Sequence, residues 1–216
     1  MRLPEDVLAF LRDAEMFRDE RLGISPLTVD LCTLQTKQLR EIDVPAELGL
    51  IVLDDANDSN PHCLITSGPA AGMVVHFCHD PEPVLRYPGL THFLSALRTA
   101  HDQGLSLGQL PAPALEVHPD QTELVAHLRS YLGRKDEGAS TLLHILYPLM
   151  DPKNIEILRE TALHPDFLVR ETAARFIAAH RHVAHREVAI ILSSDAYLQV
   201  AEPAQQAVRA IADRLS

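Results

Sequence analysis

The segment Asp166-Phe167-Leu168-Val169-Arg170-Glu171-Thr172-Ala173-Ala174 belongs to a pattern that recurs through the second half of the chain. Four apolar positions return 31 residues later, where Val169, Ala173, Phe176 and Ile177 are matched by Val200, Ala204, Ala207 and Val208. The same shift toward the N-terminus matches the last three with Leu142, Ile145 and Leu146. The pattern indicates three units, at about 123–153, 154–184 and 185–215, each long enough for two short helices.

Helix pairs of this length cannot bury an apolar stripe alone, so three of them are expected to stack and share one core. The alternative explanation is that any run of amphipathic helices shows some periodicity by chance. In either case the second half is predicted to be all-α.

The first half has a different pattern, in which short apolar runs alternate with turn residues. Residues 3–11 place a proline at a helix start and acids in the first turn, which predicts one helix. A second helix is predicted from the helical spacing of Leu90, Phe93, Leu94 and Leu97. Between them, runs rich in Val, Ile and Leu predict strands at 24–34, 48–53, 63–66 and 73–77. We expect an α+β domain in which helices flank an antiparallel sheet.

Residues 104–120 lose this periodicity and are punctuated by Gly104, Gly108, Pro111, Pro113 and Pro119. We therefore predict an α+β domain at 1–104, a Pro/Gly linker at 105–120 and a helical domain at 121–216.

Composition places the chain among ordinary globular proteins, since 46% of its 216 residues are hydrophobic and 23% are charged. No apolar stretch approaches the roughly 20 residues that cross a bilayer, and the N-terminus has no apolar signal core. Cys32, Cys63 and Cys78 are odd in number and widely spaced, which favours a reducing compartment. We expect a cytoplasmic protein without a membrane partner.

The formal net charge is −11, and residues 1–110 hold 16 acids against 8 bases. A surface of this sign repels a phosphate backbone and attracts a basic protein, so a protein partner is expected rather than nucleic acid. The competing hypothesis, a helical nucleic-acid enzyme, requires the bases of the second half to form one continuous groove. These are Arg129, Arg134, Lys135, Arg159, Arg170, Arg175 and Arg181.

Residues 166–174, an acidic turn followed by Val-Arg-x-x-Ala, resemble the start of a helix in HEAT-like repeats. The segment Tyr197-Leu198-Gln199-Val200-Ala201-Glu202-Pro203-Ala204 is similar, with Ala201 in the place of the arginine. The resemblance covers about residues 123–215. It implies a solenoid used mainly for protein binding, although some HEAT-like proteins bind nucleic acid or carry enzymatic sites.

The first half is similar to the SMI1/KNR4 (SUKH) family. The resemblance rests on the opening helix, on the strand Gly49-Leu50-Ile51-Val52-Leu53 followed by two aspartates, on a hairpin through 72–76 and on a closing helix with Phe93-Leu94-Ser95-Ala96-Leu97. It implies no catalysis. Many bacterial members of this family are immunity proteins that bind and neutralise toxin domains.

Asp54, Asp55 and Asp58 form an acidic turn after the predicted strand 48–53. Carboxylates at this spacing suit a hard cation, but they also terminate strands or meet a basic partner, and no glutamate stands at the end of an EF-hand spacing. We predict that these three aspartates, together with Glu82, form a partner-binding site, and that the chain holds no metal or other cofactor.

Two histidine clusters are alternatives for a metal site: His180, His182 and His185, and His76 with Cys78 and His79. Neither has four ligands in two spaced pairs, as structural zinc sites do. Histidines near the end of a helix also interact favourably with its free carbonyls and its dipole. Metal binding by the first cluster is left open by the sequence.

No nucleophile motif, phosphate-binding glycine loop or dinucleotide fingerprint occurs, and Cys78 is expected to be a core residue. The sequence therefore predicts a non-enzymatic protein-binding module, in the leading hypothesis an immunity protein that neutralises a basic bacterial toxin by direct binding. The alternative is a cytoplasmic scaffold or regulatory subunit that binds its partners through the helical repeats.

Overall fold

The computed structural model describes residues 2–18, 22–54, 60–78, 82–136 and 138–214. The chain divides into two compact units, Met1–Glu116 and Val117–Ser216, and the division falls inside the segment predicted to be the linker. The described residues contain ten α-helices and, in the first unit, one four-stranded antiparallel sheet. The predicted mixture of helices and antiparallel sheet is confirmed.

Two helices of the first unit pack against each other. Helix α1 (Glu5–Ala14) begins directly after Pro4 and contacts helix α4 (Leu90–Gln103). The ring of Phe10 stacks on that of Phe93 with 5.4 Å between centroids, and both side chains are buried. Both helices were predicted from their apolar spacing, and the apolar contact between them explains why that spacing is present.

The sheet consists of β1 (Ile51–Val52), β2 (His62–Leu64), β3 (Val74–His76) and β4 (Val84–Tyr87). Its strands pair in chain order, and every neighbouring pair is antiparallel. The predicted runs 63–66 and 73–77 supply most of β2 and β3, which form the expected hairpin. The run 48–53 supplies only the two residues of β1, because Gly49 before them adopts a φ of 59° that extended strands do not use.

The prediction of a strand at 24–34 was wrong. Only its start is extended, where Pro26 forms an isolated bridge with Asp54. Helix α2 (Val29–Leu39) then begins, because the side chain of Thr28 accepts a hydrogen bond from the backbone N–H of Leu31 and caps the helix. A run of Val and Leu residues does not by itself distinguish a strand from a helix.

Two elements of the first unit were not predicted. Helix α3 (Asp43–Glu47) is a short helix with Pro45 buried inside it. Strand β4 contains Arg86 between apolar residues and lies between Pro83 and Pro88. Proline lacks the N–H group that a strand ladder uses, and β4, which these two prolines flank, lies at the edge of the sheet.

The second unit contains six α-helices and no strand in its described residues. They are α5 (Gln121–Leu132), α6 (Gly138–Leu146), α7 (Ile155–Ala162), α8 (Phe167–His180), α9 (Arg186–Leu192) and α10 (Leu198–Asp213). Consecutive helices form three pairs. The second and third pairs are 31 residues apart at both helix starts, at 155 and 186 for the first members and at 167 and 198 for the second members.

The helices of the second unit pack in two layers. Within each pair the two helices contact each other, and between pairs the first members contact first members and the second members contact second members. The periodic positions Val169, Ala173, Val200 and Ala204 are all buried. These four positions of the predicted period therefore belong to the core of the second unit.

The predicted linker is ordered at both of its ends. Residues Leu107–Gln109 form a short 3-10 helix with a capping box between Ser106 and Gln109, and Leu107 is buried in the first unit. At the other end the N–H of His118 donates to the carbonyl of Leu149 in the second unit. The boundary between the two units falls between these ordered ends, after Glu116.

In the part of the chain that the structure describes, no helix combines the length and the apolar character needed to cross a lipid bilayer.

Thr36 provides a test of how α2 is joined to the sheet. Its hydroxyl is buried and accepts a hydrogen bond of 3.0 Å from the backbone N–H of Val52 in β1. We expect Thr36→Val, which keeps the shape of the side chain, to lower the free energy of unfolding by about 1–3 kcal/mol because the buried N–H loses its acceptor. The measurement is urea unfolding of the full chain.

The matched control is Thr33→Val on the same helix, where the hydroxyl donates to the carbonyl of Val29 at the surface. This change should alter stability by no more than about 0.5 kcal/mol. Equal losses in both variants would show that the contact between α2 and β1 does not depend on the Thr36 hydroxyl.

Candidate functional site

Asp54, the first of the predicted partner-binding residues, lies inside the first unit. Its side chain is 1% exposed. One carboxylate oxygen accepts a hydrogen bond of 2.6 Å from the backbone N–H of His62, and the other lies 2.7 Å from the Nδ1 atom of the same residue. Both oxygens are therefore satisfied within the fold. The prediction that Asp54 faces a partner is corrected, because its carboxylate is buried and hydrogen-bonded to His62, the first residue of β2.

The other predicted partner-binding residues are not brought together with Asp54 at the surface. Asp55 and Asp58 lie outside the described residues, and Glu82 is half-buried just before β4. Because Asp54 is buried, it does not belong to an exposed acidic site. The partner-facing roles of Asp55, Asp58 and Glu82 stay predictions.

His62 is the centre of a group of aromatic rings next to the sheet. Its imidazole stacks on that of His76 at 4.5 Å and lies 4.8 Å from the ring of Phe93. Burial, followed by the neighbouring His62, lowers the pKa of His76, so its neutral form is favoured. The Nδ1 atom of His76 lies 3.1 Å from the buried Sγ of Cys78.

The cysteines of the described chain are buried and free of disulfide bonds. Burial raises the pKa of Cys32 to about 11 and raises the pKa of Cys63 well above its usual value. Both thiols therefore remain protonated at neutral pH and are poor nucleophiles. Cys78 is also buried, as predicted for a core residue, and His79 lies outside the described residues.

The histidines at 180–185 are used by the local backbone. Helix α8 ends at His180, and the next residue, Arg181, adopts a left-handed φ of 49°. His180 Nδ1 lies 2.9 Å from the carbonyl of Phe176, and His182 Nδ1 accepts from the N–H of Ala184. His185 is fully buried with Nε2 2.6 Å from the carbonyl of Pro152. Within the described ranges, no group of three or more His, Cys, Asp or Glu side chains is arranged to hold a metal ion.

The bases of the second unit are distributed among acids. Arg129 pairs with Glu160, Arg159 with Glu187, Arg170 with Asp195, Arg175 with Glu171 and Arg134 with Asp136. These ion pairs neutralise five of the seven bases that a nucleic-acid groove would require. The observation counts against a continuous basic surface and therefore against the nucleic-acid enzyme hypothesis.

An exposed apolar surface lies where the second helices of the last two pairs begin. The rings of Phe167 and Tyr197 stack face to face, with 4.3 Å between centroids and 10° between planes. Tyr197 is 46% exposed and the neighbouring Leu198 is 68% exposed. We call Phe167, Tyr197 and Leu198 the turn patch.

A nearly buried ion pair joins the two turns next to this patch. The guanidinium of Arg170 donates to both carboxylate oxygens of Asp195, at 2.6 and 3.1 Å, and also to the carbonyls of His164 and Pro165. The hydrogen bond from Arg170 lowers the pKa of Asp195, which keeps that carboxylate ionised. Because the turns at 163–166 and 193–197 are tied by four hydrogen bonds, the turn patch has a rigid base.

The turn patch was not recognised from the sequence, although a signal was present. Phe167 and Leu198 are 31 residues apart and each is the first residue of its helix. A large apolar residue at the first position of both helices, half-buried at Phe167 and exposed at Leu198, is the feature that identifies the patch.

The buried position of Asp54 leads to a stability prediction. Asp54→Asn replaces a carboxylate that accepts two hydrogen bonds by an amide with only one acceptor oxygen. The amide NH₂ group then faces the ring N–H of His62, so that two donors oppose each other. We expect the free energy of unfolding to fall by about 1–3 kcal/mol. Glu41→Gln, at an exposed position of the same unit, should have almost no effect in the same urea experiment. Similar stabilities of the two variants would contradict the buried role of Asp54.

His185 leads to a prediction of pH dependence. Burial is the main cause that lowers its pKa, and the neighbouring His182 and His180 act in the same direction. The folded chain therefore favours neutral imidazole, whereas the unfolded chain takes up a proton near pH 6.5. This contribution to stability is complete above the unfolded pKa and is lost as the pH falls from about 7 to 5, at no more than about 1.4 kcal/mol per pH unit.

His185→Gln keeps a donor for the carbonyl of Pro152 and cannot titrate, so its stability should decline less steeply over this pH range than that of the wild type. His92→Gln makes the same substitution at an exposed position of the first unit and serves as the control. Urea unfolding at several pH values measures both slopes, and identical slopes for all three proteins would overturn the assignment.

No protein-family model, curated protein or solved structure matches the chain. The resemblances to SUKH domains and to HEAT-like repeats consequently remain hypotheses drawn from the residues themselves.

Proposed function

We propose that this protein is a non-enzymatic binding module that docks a protein partner on the turn patch of its second unit. The observation that carries the proposal is the stack of the half-buried Phe167 on the exposed Tyr197, beside the exposed Leu198. Aromatic side chains with exposed apolar area, mounted on a rigid base, are the residues that contribute most to protein–protein affinity.

In the finer description of the fold, the second unit is a set of HEAT-like repeats. Two features support this proposal: the packing of like helices between pairs, and the separation of 31 residues between the last two pairs at both helix starts. In a stack of repeats, equivalent positions line up along one edge. Phe167 and Leu198 are equivalent positions in this sense, so the turn patch follows directly from the repetition.

The base of the patch explains why binding there would cost little conformational entropy. Arg170 and Asp195 are nearly buried and fix the two turns before any partner arrives. The guanidinium of Arg170 also lies 5.8 Å from the centre of the Tyr197 ring. A side chain that is already held in its bound position loses less freedom on association, and more of the contact energy appears as affinity.

The partner we propose is a basic toxin domain, so that the protein acts in the cytoplasm as an immunity protein. The net charge of −11 supports this choice, because charge attraction speeds association with a basic surface. The resemblance of the first half to SUKH immunity proteins supports the same choice. Contacts of the turn patch would then slow dissociation, since apolar burial acts mainly on the dissociation rate.

A paired substitution tests the docking surface. Tyr197→Ser and Leu198→Ser together remove most of the exposed apolar area and leave the pair of Arg170 and Asp195 in place. The tagged full chain should retain one stoichiometric partner from its native cells, and the double variant should bind that partner at least about tenfold more weakly, corresponding to 1.4 kcal/mol or more.

Met16→Ser is the matched control, because Met16 is an equally exposed apolar residue, at 72%, in the first unit. It should bind like the wild type. If the double variant and the control bind equally well, the turn patch is not the docking surface.

A growth assay then tests the identity of the partner. The captured protein is produced in a sensitive bacterium with and without the immunity candidate, and growth should be restored by the wild type but not by the double variant. A captured protein that is not toxic would favour the scaffold or regulatory subunit instead.

A further inference from the structure

A pocket of about 340 Å³ lies within the first unit, away from the turn patch. One wall is apolar and is formed by Leu22, Ile24 and Leu107, and the polar wall contains His62, His76 and Arg86. Pockets that bind small molecules typically have this composition, with apolar walls and a few fixed polar groups.

Arg86 is the charged group of this pocket. It lies in β4, and its guanidinium is hydrogen-bonded to the hydroxyl of Tyr87. Among the residues that the structure describes, no carboxylate lies within ion-pair distance of Arg86, in contrast to the paired arginines of the second unit. A guanidinium without a counterion in a pocket is a binding group for a carboxylate or a phosphate.

His62 is a second group with a fixed orientation. Asp54 holds its Nδ1 atom, and stacking against His76 and Phe93 occupies the faces of the ring. The ring is therefore locked, and the Nε2 atom, which has no hydrogen-bond partner among the described residues, is the polar atom left for the pocket. A buried carboxylate that orients a histidine in this way fixes which nitrogen a ligand meets.

His76 completes the polar wall without adding charge. It stacks on His62, its Nδ1 atom contacts Cys78, and the backbone of Asn60 forms a further hydrogen bond with it. The positive charge that a ligand meets therefore comes from Arg86.

We propose that this pocket binds a small organic anion, whose charged group pairs with Arg86 and whose apolar part rests on Leu22, Ile24 and Leu107. This role is independent of protein docking on the turn patch, since the two sites lie in different units and share no residue.

The test compares three probes that separate charge from apolar contact. Benzoate has a carboxylate on an apolar ring, benzyl alcohol has the ring without the charge, and inorganic phosphate has the charge without the ring. Each is titrated into the isotope-labelled full chain, and the amide signals of Ile24 and Leu107 are followed by NMR. Benzoate should shift these signals saturably, and each of the other two probes should bind at least about tenfold more weakly.

Arg86→Gln should weaken the binding of benzoate by at least about tenfold, whereas Arg98→Gln, at an exposed position of α4 in the same unit, should leave it unchanged. Equal affinities of the two variants, equal binding of benzyl alcohol and benzoate, or no saturable shift with any probe would each overturn the proposal. The comparison of probes on the wild type stands even if Arg86→Gln does not fold.

Discussion

The carboxylate of Asp54 is the interaction on which the first unit depends. Placing a carboxylate in an apolar interior is costly unless its oxygens are hydrogen-bonded, and both oxygens of Asp54 are engaged by His62. The backbone of Asp54 bridges Pro26 as well. One residue thus joins the segment before α2, the end of β1 and the start of β2, and through the ring of His62 it reaches Phe93 of α4. Of the pocket lining, these connections fix the position of His62 directly.

The second unit is organised by a different kind of constraint. Its helices are specified by repeated apolar positions, and ion pairs such as Arg129 with Glu160 and Arg159 with Glu187 join successive pairs at the surface. Exposed pairs of this kind contribute little to stability. The nearly buried pair of Arg170 and Asp195 differs, because it is bidentate and joins two turns. It determines the position of the turn patch more than it determines whether the helices fold.

These two constraints explain which elements and which site residues could be predicted from the sequence. The helices of the second unit were predictable because period and burial coincide, as at Val169 and Ala173. The prediction of a strand at 24–34 failed because the side chain of Thr28 caps a helix by accepting a hydrogen bond from the N–H of Leu31, and the run of Val and Leu residues that follows is helical.

Asp54 was assigned to the surface because acids cluster next to it in the sequence. Alternation along a strand, however, places it on the same face as the buried Val52. Its true partner, His62, is eight residues away, and only the antiparallel pairing of β1 and β2 reveals it. The pocket was inaccessible to sequence reasoning for the same reason, since Leu22, His62 and Leu107 meet only in the fold.

The acidic composition of the first unit and the anion pocket within it are compatible because charge acts over different distances. At physiological ionic strength, exposed charges are largely screened beyond about 8 Å. A long polyanion such as a nucleic acid would contact the surface over many times that distance and would meet its net negative charge. A small ligand inside a pocket interacts mainly with the groups that line it, among which Arg86 carries the positive charge. The proposed binding of a basic protein and the proposed binding of a small anion are therefore compatible, because the first depends on the net charge and the second on Arg86, which the sheet holds in position.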